Sequence, residues 1–160
     1  MDGVLIEDTR QQKDKHDKKH KWWGAHGVRL IRSKLAFGDY SLPPVMAVDT
    51  KASIQELAYD IDCDHRRFHE EITGARDAGV ALVVLVENAD GVMSLDELSR
   101  WVESPQDFAK RKHAQRRLHG ARLAKACATM EERYGVRFEF CAPERAASRV
   151  MEILAEGGAR

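Results

Sequence analysis

The 160-residue chain has no run approaching the roughly 18 to 20 consecutive apolar residues that a bilayer-spanning helix needs, which excludes such a helix from the sequence. Cysteine is scarce. Cys63, Cys127 and Cys141 are odd in number and show no CxxC spacing, so they point to neither a disulfide framework nor a zinc knuckle and read as reduced thiols in or near the core. The basic start of a signal peptide is missing as well, because Asp2, Glu7 and Asp8 surround the short N-terminal apolar stretch. No internal repeat or low-complexity linker breaks the chain. The expectation is a soluble, cytoplasmic, single-domain protein over residues 1–160, in which 43% hydrophobic content suffices to bury one core.

Net charge is also lacking, since 26 Lys and Arg balance 26 Asp and Glu, and the sum does not advertise a polyanionic partner. Its distribution is uneven. "KRKHAQRRLHGARLAK" (Lys110 to Lys125) holds seven Lys or Arg and no acid, and "KDKHDKKHK" (Lys13 to Lys21) holds five Lys against two Asp. A solvated helical face explains either run alone. Two such runs beside an acidic pocket fit a phosphate backbone, with Lys110, Arg111, Lys112, Arg116, Arg117, Lys18 and Lys19 as candidate DNA contacts. His16 and His20 have the spacing of a zinc-binding helix, but the surrounding lysines repel a cation and favour solvated or phosphate-facing histidines. Of Trp22 and Trp23, one reads as core, and either is placed to stack on a base.

What is present organises into alternating elements. "GVLIE" reads as a buried strand, "VRLIRSKLAF" as a strand with one wet face, and "VMAVDTK" as a third strand reached through a Pro43-Pro44 turn and expected to run antiparallel to the second. Ser53 to Glu56 forms a capping box opening a helix with Leu57, Ala58 and Ile61 on its apolar face. A helix over His65 to Ala78 turns Phe68, Ile72 and Ala75 inward, and "VALVVLVE" (Val80 to Glu87) lacks polar alternation, as a central strand covered on both faces does. A second capping box at Ser94 to Glu97 opens a short helix, then come a helix over Gly120 to Tyr134 stopped by Gly135, the strand "VRFEF", and a last helix from Pro143 to Glu156. This order predicts an α/β layered domain.

The stretch "FGDYSLPPVMAVDTK" carries the chemistry. Strand side chains alternate faces, so Asp49 and Lys51 point the same way, with Asp39 entering from the preceding segment. Two carboxylates suit Mg2+ or Mn2+, which prefer oxygen ligands, and the Thr50 carbonyl is a third candidate oxygen. Lys51 would orient a metal-activated water or offset charge on phosphorus. An Asp and a Lys two apart on a strand also make an ordinary surface ion pair.

In order and spacing, "IEDTRQ", "KLAFGDYSL", "VDTK", "DHRRFHEE" and "LVVLVE" resemble the XPF-type (excision-repair) nuclease domain of the PD-(D/E)xK superfamily, over at least Val4 to Glu87. "GARLAKACATMEERYGVRFEF" is similar to that family's closing helix and strand. The resemblance implies a restriction-endonuclease-like α/β fold, a central mixed sheet of about five strands flanked by helices. It implies a Mg2+-dependent endodeoxyribonuclease with Asp39 and Asp49 as metal ligands, Lys51 catalytic, Asp8 and Arg10 at the pocket edge, and Arg67 and Glu71 in support. By themselves Asp8 and Arg10 make a local ion pair, and Arg67 and Glu71 an i, i+4 surface pair. Asp49 stands where the family has Glu and Thr50 where it has Arg. The family's later acid falls at Gln55, with Glu56 one place on, and the capping box already accounts for Glu56. Glu87 is either a site acid or a strand-end residue meeting water. The resemblance further implies DNA as partner, homodimers, and branched, flap or junction substrates, in repair, recombination or phage and mobile-element processing. A catalytically inactive DNA-binding module and an assembly protein on the same fold are the competing readings.

Overall fold

The computed structural model describes residues 3–12, 15–42 and 46–158; Lys13 and the Pro43-Pro44 turn lie outside them. Among the described residues, β1 (Gly3–Asp8), α1 (Asp17–Ala25), β2 (Val28–Ser33), β3 (Tyr40–Leu42) and β4 (Met46–Lys51) form the first half. They are followed by α2 (Ile54–Asp62), α3 (His65–Asp77), β5 (Ala81–Glu87), α4 (Leu95–Arg100), α5 (Pro105–Lys110), α6 (Gly120–Tyr134) and β6 (Arg137–Cys141), then a 3-10 turn at Pro143–Arg145 and α7 (Ala146–Gly158).

The strands make one mixed sheet in the order β2-β1-β3-β4-β5-β6. Only β3 runs antiparallel to its neighbours β1 and β4, while β1–β2, β4–β5 and β5–β6 pair in parallel. Strands β1, β4 and β5 therefore finish at the same edge of the sheet, and β3 begins there. That topology gathers the strand-end acids, and crevices outside the carboxyl ends of parallel strands are where such sheets bind ligands.

The run "ALVVLVE" lies one strand in from the sheet edge, between β4 and β6, and alternates between two cores. Leu82, Val84 and Val86 pack with Ile54, Leu57, Phe68, Ile72, Leu98 and Leu123 from the α2, α3, α4 and α6 side. Val83 and Leu85 pack with Trp23, Ala147, Val150 and Ile153 from α1 and α7. Burying an aliphatic side chain of this size stabilises by about 1.5–3 kcal/mol, which is why a strand covered on both faces shows no polar alternation.

Two capping boxes form as expected. Ser53 Oγ accepts from the Glu56 N–H at 3.1 Å while Glu56 Oε2 accepts from the Ala52 N–H at 2.7 Å, and Ser94 with Glu97 repeats the arrangement at α4. Helix α5 adds to the expected elements and is signalled by "SPQD": Ser104 Oγ accepts from the Asp107 N–H at 3.1 Å and Pro105 occupies the first turn.

One pairing differs from expectation. The strand "VRLIRS" does not pair with "VMAVDTK"; it lies at the sheet edge, parallel to β1, because α1 carries the chain across between them. The antiparallel partner of β4 is β3, whose three residues are too short to show a period, and it raises the expected five strands to six.

Candidate active site

Asp49 and Lys51 occupy one face at the end of β4, and both are buried, at 5% and 4% exposure. Lys51 Nζ lies 2.8 Å from Asp49 Oδ2 and 2.5 Å from Asp60 Oδ2, and 5.1 Å from the centroid of the Phe68 ring. Asp60 in turn accepts from Arg67 Nη2 at 3.2 Å through Oδ1, and Arg67 Nε donates to Asp64 at 2.5 Å. The result is an alternating chain of charges running from β4 through α2 to α3.

Burial by itself would lower the Lys51 pKa, but the Asp49 and Asp60 carboxylates outweigh it and raise it above the ordinary lysine range. Lys51 is thus favoured as an ammonium between two carboxylates. For Asp49 the balance goes the other way. Desolvation and then the nearby Asp39 charge push its carboxyl well above the usual range, with Lys51 only partly opposing them.

Asp39 is held from both sides. Its Oδ2 accepts from the Thr50 N–H at 2.7 Å and from the Thr50 hydroxyl at 2.8 Å. Its own N–H donates to the Val48 carbonyl at 2.8 Å, and its carbonyl accepts from the Asp8 N–H at 2.7 Å. Thr50 thus positions an acid through its amide and hydroxyl, a role that sequence reasoning did not assign it. Glu71 supports the same turn, its Oε1 accepting from the Gly38 N–H at 2.9 Å. Gly38 has φ +73°, and a Cβ there would press on the Val48 carbonyl oxygen at 3.0 Å.

Asp8 is buried but spent locally, accepting from the Arg10 N–H at 3.0 Å, from Nε at 2.6 Å and from Nη2. The Arg10 guanidinium remains 58% exposed and also donates to the Leu35 carbonyl at 3.0 Å. A cleft of about 260 Å³ joins Arg10, Gln11, Lys15, His16, Glu56 and Arg67 to Asp39, Asp49, Thr50 and Lys51. Glu56 both caps α2 and lines this cleft.

The donor set fits a hard divalent cation. Asp49 is buried with Oδ2 2.8 Å from the Lys51 ammonium, which leaves its carboxylate otherwise without a hydrogen-bond donor among the described residues. A second carboxylate whose charge disfavours ionisation stands beside it, a repulsion that a bound cation would relieve. Among the described residues no group of three or more His, Cys, Asp or Glu is placed to hold a metal. Two carboxylates with the remaining positions left to water and phosphate is the coordination that Mg2+ adopts, and zinc cages are built otherwise.

The expected DNA contacts divide. Lys19 is the correction: it is 5% exposed, with Nζ 2.6 Å from Glu87, because the two opposite charges desolvate together between α1 and β5. The same contact accounts for Glu87. Arg111 donates to buried Glu103 from Nε at 2.7 Å and Nη2 at 2.8 Å, and Arg117 Nε donates to the Glu103 carbonyl at 2.6 Å. Lys110 pairs with Asp107. Lys18, Lys112 and Arg116 are exposed and make no ion pair among the described residues. Gln55 Nε2 donates to Glu103 at 3.2 Å, which ties this basic loop to the residue beside Glu56 in the cleft.

Asp60 is the site residue that the sequence reading missed. Its signal was there: with Ile54, Leu57, Ala58 and Ile61 it falls in the inward stripe of α2, where an unpaired acid would not be tolerated.

No family model matches the sequence, and no curated protein does. Among solved structures, XPF from Aeropyrum pernix superposes with a TM-score of 0.67 at 16% identity, covering 98% of this chain and 66% of that one. XPF from Aeropyrum pernix in complex with DNA gives 0.65 at 17% identity over 98% and 65%. The chain spans about two-thirds of the length of those structures. It has the XPF-type fold, and no helix among the described residues is long and apolar enough to cross a membrane.

Proposed function

We propose that this protein is a metal-dependent DNA endonuclease, with Mg2+ or Mn2+ held by Asp39 and Asp49. The observation that carries the reading is the buried Asp49 carboxyl, held between the Lys51 ammonium at 2.8 Å and a second carboxylate, Asp39, at the carboxyl edge of the sheet. DNA as the substrate rests on fold likeness to an XPF solved with DNA, together with the exposed Lys18, Lys112 and Arg116.

When bound, the ion supplies Lewis-acid chemistry, lowering the pKa of a coordinated water and polarising the phosphate. The chain supplies the rest. Thr50 holds the Asp39 carboxylate and Glu71 holds the turn that carries it, so that this oxygen donor arrives pre-oriented. Lys51, favoured as the ammonium and paired with Asp60, would set positive charge against the negative charge that builds on the phosphate oxygens. Arg10 and Arg67, both more than half exposed at the cleft, complement the approaching backbone.

The test is cleavage of labelled single-stranded, duplex, flap and four-way DNA with Mg2+ or Mn2+, comparing wild type with Asp49→Asn. Cleavage is expected to need the metal and to be lost in the variant; activity surviving in Asp49→Asn overturns the site. Faster cutting of branched forms is the expected result for a structure-specific enzyme. Binding without cleavage under either metal would instead identify the noncatalytic module.

A further inference from the structure

The Asp49–Lys51 site leaves one wall of the cleft unexplained. Gln11 and His16 line it, and neither ligates nor pairs with the carboxylates. Behind them stands the buried Lys19–Glu87 ion pair.

Lys19 is an ammonium, a donor without a lone pair, and its Nζ lies 3.4 Å from His16 Nδ1. His16 Nδ1 must therefore accept, which leaves the ring neutral with its proton on Nε2. That Nε2 lies 2.5 Å from Gln11 Oε1, so the imidazole N–H donates to the amide oxygen. The main chain of Gln11 is committed as well, its N–H donating to the Asp8 carbonyl at 3.0 Å and its carbonyl accepting from Arg32 Nη2 at 2.6 Å. One group is left. The side-chain NH2 of Gln11 makes no hydrogen bond among the described residues, and with the oxygen anchored on His16 it cannot exchange places by a flip of the amide.

We propose that Gln11 is a substrate-contacting residue that donates its side-chain amide to a phosphate oxygen in the cleft, with Glu87, Lys19 and His16 forming a positioning chain that fixes its orientation. The class of ligand follows from the chemistry: the amide is a donor in a wall also lined by Lys15 and Arg10, which suits a phosphodiester. His16 is kept neutral by burial and then by Lys19, its pKa lowered to about 4, with Lys15 acting in the same direction and Asp39 and Glu7 opposing. The donor therefore persists across the working pH range and does not switch off with imidazole titration. The inference rests on the nuclease reading only for the identity of the phosphodiester.

The test uses the full chain in EDTA, so that no hydrolysis is involved. Binding of a short single-stranded oligothymidylate should weaken by about tenfold in Gln11→Glu, which keeps the shape and replaces the donor with a repelling oxygen. In nitrogen-15 spectra, His16 should show the neutral Nε2–H form down to about pH 5, and the Gln11 NH2 signals should move on adding inorganic phosphate. The paired variant Lys19→Met with Glu87→Gln removes both buried charges together, so it is expected to fold, to release the His16 tautomer and to weaken binding by a few-fold. Unchanged binding in Gln11→Glu, or a Gln11 amide indifferent to phosphate, overturns the proposal. Because none of these readouts needs cleavage, they stand even where Asp49→Asn contradicts the nuclease reading, and the reverse also holds.

Discussion

Asp60 Oδ2 lies 2.5 Å from Lys51 Nζ, so a helical acid shares the ammonium that the strand pattern assigned to Asp49 alone. Removing Asp60 leaves Lys51 with Asp49 alone and deprives Arg67 of a partner, and breaking a buried pair costs about 3–5 kcal/mol. Asp60→Ala should therefore lower stability by about 3 kcal/mol in urea denaturation, and the double variant Lys51→Met with Asp60→Leu should recover most of it. An Asp60→Ala protein as stable as wild type would show that the contact contributes nothing.

The raised pKa of Asp49 has a consequence for stability. The folded state holds this proton more tightly than the unfolded chain, so stability falls as pH rises from the unfolded carboxylate value through the raised folded value. Without metal, Asp49→Asn should be at least as stable as wild type at pH 7–8, with the difference closing as the solution is made acidic. Mn2+ should raise the melting temperature of wild type and leave that of the variant where it was.

Glu103 behaves in the opposite sense. Burial opposes its ionisation, but hydrogen bonds from Arg111, the Leu118 N–H and Gln55 overcome that and hold its carboxyl below the usual range. Its contribution is present above the unfolded glutamate value of about 4.3 and is lost as pH falls through the lower folded value. Glu103→Gln should cost about 2 kcal/mol at pH 7, and fluorescence-monitored denaturation of the two proteins should converge on acidification.

Two glycines predict opposite outcomes. A Cβ on Gly120, at the start of α6, would collide with the Leu98 carbonyl oxygen, backbone that cannot step aside. Gly120→Ala should cost about 3 kcal/mol. At Gly24, inside α1, nothing lies within 4 Å of the added methyl, and Gly24→Ala should gain about 0.5–1 kcal/mol. Chemical denaturation of the two variants side by side decides both.

For DNA binding, the division of the basic residues sets the expectation. Lys112→Ala and Arg116→Ala should each reduce the slope of log affinity against log salt by about one on duplex DNA. Lys110→Ala, whose charge is already balanced by Asp107, should change that slope less. Equal slopes for all three variants and wild type would remove the loop from the interface.

Sequence alone determined the local features. The capping boxes at Ser53 and Ser94 were legible because a cap is a bond between residues three apart, and the double-sided burial of "LVVLV" was legible because it suppresses alternation. The shared face of Asp49 and Lys51 followed from the two-residue period of a strand. Only the tertiary structure decided which strand lies beside which, that Lys19 is buried on Glu87, and that Asp60 reaches Lys51. The physical reason is one of range. A cap or a periodicity is fixed within a few residues, whereas the partner of a charge or of a strand edge is chosen by packing, and a side chain's identity does not say which distant residue will share its burial.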